Sequence, residues 1–116
     1  MLKANSLFEK LHPNMSPDRA DLLVSLARAQ IAGGRPEEAV ASADQAATFW
    51  RSFDPTSRST AVATLWHARA LYVAGHEQKG AETLRQASAM FSTTSLPAER
   101  ALLEETQRIM RNRRSH

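Results

Sequence analysis

From Asp21 to Ala32 and again from Ala61 to Ala74, apolar residues recur around most of a helical circumference, and no stretch of comparable length alternates apolar with polar. The segments 36 to 52 and 77 to 92 carry charges on one side and small or apolar residues on the other. The stripe Ala39, Ala43 and Ala46 is answered by Gly80, Leu84 and Ala87. Helix punctuation falls between these segments. Ser16-Pro17, Arg35-Pro36, Asp54-Pro55 and Leu96-Pro97 place proline where a first helical turn tolerates its missing N–H, with Ser16, Asp54 and Ser95 as nearby caps. Gly34 and Gly75 follow apolar runs, where a left-handed C-terminal residue belongs. The pattern predicts six helices, over 3 to 11, 17 to 33, 36 to 52, 56 to 74, 77 to 92 and 97 to 113. Their short connections predict antiparallel neighbours in an all-α fold. The two apolar helices are expected to have packing partners on more than one side.

The pattern also repeats. LARAQIAGGRPEEAVASADQA at 26 to 46 and HARALYVAGHEQKGAETLRQA at 67 to 87 lie 41 residues apart, pairing Ala27 with Ala68, Arg28 with Arg69, Gly34 with Gly75 and Ala46 with Ala87. A fixed period of this length signals a repeated supersecondary unit whose apolar face only another unit can cover. Within a single domain of residues 1–116, the units divide into a half repeat or N-terminal cap at 1–15, repeats at 16–55 and 56–95, and a capping helix at 96–116.

This arrangement resembles the tetratricopeptide repeat (TPR). Leu23, Leu26, Ala27, Gly34, Ala39 and Ala46 occupy the family's positions in one unit, and Ala68, Leu71, Gly75, Gly80 and Ala87 in the next. Gln30, Ala43, Thr64 and His67 depart from its preference for large apolar or aromatic residues. The 41-residue period is similar to the long repeats of bacterial regulators. The resemblance implies antiparallel hairpins stacked as a short right-handed superhelix of about six helices. It further implies a protein-protein interaction or scaffold module, serving as a regulatory part of a larger bacterial protein. First helices of such repeats line an inner groove. Carried over by position, that stripe includes Asp21, Ser25 and Arg28 in the first unit and Trp66, Arg69 and Tyr72 in the second. The structural counterpart is a purely structural or self-associating segment with no external ligand.

Charge changes this picture little. The chain of 116 residues has a formal charge of +3, but Arg108, Arg111, Arg113 and Arg114 lie in the last nine residues, and the remainder is close to neutral. Two arginines in matching register suit a carboxylate or an acidic peptide through charge-assisted hydrogen bonds. The basic end could touch phosphates, but it also complements a helix dipole and has no aromatic platform nearby. That weighs against nucleic acid as the partner. The absence of cysteine excludes disulfides and thiolate chemistry. No run of about 20 apolar residues offers a membrane span, and the expected setting is cytoplasmic. The four histidines have no metal-ligand spacing, and no phosphate loop or nucleophile elbow occurs. Glu104 and Glu105 read as a solvated helix face. The expectation is a non-enzyme without cofactor or metal.

Overall fold

A computed structural model describes residues 16–94 and 97–114, with side chains described for 16–91 and 100–111. Five helices make up the described chain, which contains no strand: α1 (Pro17–Ala32), α2 (Pro36–Phe53), α3 (Arg58–Val73), α4 (Glu77–Thr94) and α5 (Pro97–Arg114). The fold class is all-α, as expected. The helix expected over 3 to 11 lies outside the described residues. None of the five helices is long and apolar enough to cross a membrane.

The helix ends are set by local chemistry. Ser16 and Ser57, 41 residues apart, are both extended N-caps whose hydroxyls accept from the backbone N–H three residues on, at Arg19 and Thr60. At the other ends, Gly34 and Gly75 have φ of 77° and 95°. Their N–H groups donate to Ile31 and Tyr72, while those of Arg35 and His76 reach back to the carbonyls of Gln30 and Leu71 at 2.8 Å. That pair of bonds is the Schellman motif, made twice in the same register.

The start of α3 differs from the sequence reading. Asp54 does not cap it from beside Pro55. The Asp54 carboxylate accepts instead from the N–H and hydroxyl of Thr56, forming a local turn, and Ser57 takes over as cap. The Thr60 hydroxyl then donates to the carbonyls of Trp50 and Asp54, fastening the start of α3 to the end of α2.

Each helix packs on the next, and α1 also touches α3, as α3 touches α5. The core is built mainly from alanine. Ala27, Ala39, Ala43 and Ala70 form one cluster, and Ala20, Ala46, Ala47 and Ala63 another, with Phe49 and Trp50. Phe49, Trp50 and Phe53 form an aromatic group with centroids 5.2–5.8 Å apart, of which Phe53 alone is exposed. A third cluster, with Leu65, Ala87 and Phe91, takes in Leu102 and Leu103 of α5.

The departures from large apolar residues are accommodated individually. Gln30 accepts a 2.8 Å hydrogen bond from Ser42 across α1 and α2. The Thr64 hydroxyl returns to the Thr60 carbonyl within α3.

α3 is enclosed as expected, with ten buried residues. α1 is not. It buries Ala20 and Ala27, while Leu22 is 64% and Leu26 47% exposed. The apolar circumference of α1 exceeds what α2 and α3 cover.

Candidate functional site

α1 and α3 present adjoining faces because α2 returns the chain between them, and α5 closes the far side of α3. Two open concavities follow these faces. The smaller, about 340 Å³, is lined by Asp21, Val24, Ser25, Arg58, Ser59 and Val62. The larger, about 770 Å³, is bounded by Ser25, Arg28 and Ile31 of α1, Trp66 and Arg69 of α3, and Leu102 and Glu105 of α5. Ser25 belongs to both. Five of the six residues expected to bind a partner therefore border one of the two concavities, and the exception is Tyr72.

The larger concavity is organised by Trp66. Its indole is 7% exposed and lies beneath two cations. The Arg28 guanidinium sits 5.1 Å from the ring centroid and that of Arg69 4.5 Å. Each contact is within the range of cation–π attraction, about 0.5–1 kcal/mol where solvent reaches it and more where it does not. The indole thus holds two like charges near one another at a partly desolvated surface.

The two arginines differ in their other contacts. Arg69, 14% exposed, pairs with the Glu105 carboxylate of α5 at 3.3 Å. Its Nη1 is enclosed and has no well-aligned hydrogen bond, so the contact is a charge pair with imperfect geometry. Burial pushes the Arg69 pKa down; Glu105 opposes that shift and the nearby charge of Arg28 adds to it. Arg28 is exposed on α1, and among the described residues no carboxylate lies within ion-pair reach of it.

Tyr72 has a different position. It is 2% exposed, and its hydroxyl donates to the carbonyl of Met110 at 2.8 Å. The ring is enclosed in the core and its polar end anchors α5. Asp21 is exposed and lines the smaller concavity, away from the arginine pair.

Glu105 is the residue that sequence reasoning missed. Its neighbour Glu104 is exposed and lines a further concavity with Gln107, Arg108 and Arg111, which Glu105 also borders. The distinction between the two carboxylates depends on the rotation of α5 against α3, for which the local sequence holds no signal. Glu105 joins this concavity to the larger one, with Trp66 and Arg69 on one side of it and Arg108 and Arg111 on the other.

His67 lies between α2 and α3, 4.0 Å from the Asp44 carboxylate. Burial lowers its pKa, Asp44 opposes the shift and Arg51 adds to it. Its Nδ1 is enclosed without a hydrogen-bond partner. Among the described residues no group of three histidine or carboxylate side chains is placed to hold a metal ion. The larger concavity brings together two guanidiniums, a buried aromatic platform and an apolar border. Comparison with family models, with curated proteins and with solved structures gives no match.

Proposed function

We propose that the chain is a non-catalytic, TPR-like interaction module that holds a peptide or a partner-domain segment against α1 and α3, within a larger bacterial regulatory protein. The observation that carries this reading is the convergence of Arg28 and Arg69 on the Trp66 indole at the border of an open concavity. A solvent-facing guanidinium on a fixed aromatic platform has little freedom left to lose on binding, which favours recognition of a carboxylate. The TPR-like part of the reading draws support from the recurrence of Ser caps and Schellman glycines every 41 residues.

A peptide library displayed on phage and panned against the protein tests the proposal, followed by NMR titration of the selected peptides. The expected result is enrichment of acidic sequences that shift the Trp66 indole and the Ser25 and Arg28 amides. Arg28→Ala should weaken binding about tenfold, as for a charged hydrogen bond of ~1.5 kcal/mol, while the helical circular dichroism is retained. Selected peptides that shift other surfaces, or bind Arg28→Ala equally well, would remove the groove from the proposal.

A second reading, a structural or self-associating segment, is favoured by one specific observation: the exposure of Leu22, Leu26 and Phe53. It expects association that rises with protein concentration and needs no other component.

A further inference from the structure

Among the described residues, the larger concavity contains two cations and one carboxylate. Arg69 is engaged by Glu105, which is 49% exposed and itself borders the concavity. Arg28 stands over the same indole without such a counter-ion among the described residues. The local balance is therefore one uncompensated positive charge, with a resident negative charge beside it. Apolar surface from Ala29, Ile31, Ala32 and Leu102 adjoins it.

We infer that Glu105 determines how many carboxylates the groove accepts: it occupies the Arg69 half of the station, leaving the Arg28 half for a single acidic side chain flanked by apolar residues. This inference rests on the proposed groove-binding reading. A second ligand carboxylate directed at Arg69 would meet Glu105 as a like charge and as a competitor, so it adds little affinity. The enclosed but poorly aligned Nη1 of Arg69 gives the competition its asymmetry. Once Glu105 is neutral, the partly enclosed guanidinium is left without its carboxylate, and an incoming one replaces it.

The test uses the full chain and two blocked octapeptides that are otherwise uncharged and leucine-containing, one with a single Glu and one with Glu at two positions separated by one residue. Affinities are measured for the wild type, Glu105→Gln and Arg28→Ala, with melting temperatures to show that each is folded. The wild type is expected to bind both peptides within about twofold. Glu105→Gln should bind the doubly acidic peptide roughly fivefold more tightly, with little change for the other, the size of one partly exposed ion pair. Arg28→Ala should bind both about tenfold more weakly. Equal affinity of Glu105→Gln and wild type for the doubly acidic peptide overturns the role of Glu105 and leaves the groove reading standing. If the wild type binds neither peptide, or if Arg28→Ala binds both as well as wild type does, the groove reading fails and the inference with it.

Discussion

Gly80 and the two turn glycines are required for different reasons. A Cβ on Gly80 would meet the Tyr72 nitrogen at 3.2 Å and the Ala68 carbonyl oxygen at 3.3 Å, both backbone atoms of α3. Neither can swing aside, so α4 would have to move away from the helix it packs against most closely. Gly80→Ala should cost about 1–3 kcal/mol as overpacking, offset in part by the better helix propensity of alanine, about 1 kcal/mol. Gly34 and Gly75 have open space where a Cβ would go, so their replacement by alanine costs only the left-handed backbone, about 1–2 kcal/mol. Urea denaturation separates the mechanisms: Gly75→Asn, which tolerates φ > 0, should recover part of the loss at the turn, whereas Gly80→Asn should be worse than Gly80→Ala.

His67 adds a pH dependence at the same scale. Because burial lowers its folded pKa below the unfolded value of about 6.5, the unfolded chain takes up the proton first as pH falls. The neutral ring's contribution is complete above about pH 6.5 and declines as pH drops from there toward the folded pKa. Glutamine at 67 cannot titrate. The melting temperature of His67→Gln should therefore change less than that of wild type between pH 7.5 and 5.5, and parallel slopes would exclude His67 as the source.

At the scale of the helix, α5 is attached differently from the others. It packs on α3 and α4 through Leu102 and Leu103, and its polar attachments to α3 include the Tyr72–Met110 hydrogen bond and the Arg69–Glu105 pair. Tyr72→Phe removes the donor to a buried carbonyl and should cost about 1–3 kcal/mol. The loss should appear first in α5: hydrogen exchange there should accelerate more than in α2, since the tie being cut joins only α3 and α5. Uniform acceleration through all five helices would instead mean that α5 opens only with the whole molecule.

The contrast between α5 and the helix ends explains what was legible in the sequence. Ser16, Gly34 and Gly75 act on backbone groups a few residues away, so their roles could be read from spacing alone. Ser57 acts equally locally, but Asp54-Pro55 offers a competing cap within one turn and only the path of the loop separates the two. The shared register of Arg28 and Arg69 was visible as a repeat. Their meeting over Trp66, the burial of Tyr72 and the role of Glu105 depend on how whole helices are rotated against each other, which no local pattern encodes.

For the whole molecule, the repeat shows which open surface is exceptional. Ala63 and His67 are the counterparts of Leu22 and Leu26, 41 residues on, and both are sheltered where α3 meets α2. The same positions on α1 carry larger apolar groups and face solvent. Exposed leucines on a face of this kind contribute little to the stability of the chain that carries them, so Leu22→Glu with Leu26→Glu should change unfolding free energy by no more than about 0.5 kcal/mol for each site. Ala63→Glu, by contrast, places a charge in a fully buried alanine position and should prevent stable folding. Sedimentation over a wide concentration range then decides between the two functional readings. If wild type associates and the double variant does not, α1 is a self-association surface and the module works as part of an assembly of its own copies. If both remain monomeric while acidic peptides still bind at Arg28, the open face of α1 is not needed for that recognition, and the groove between α1 and α3 acts within a single chain.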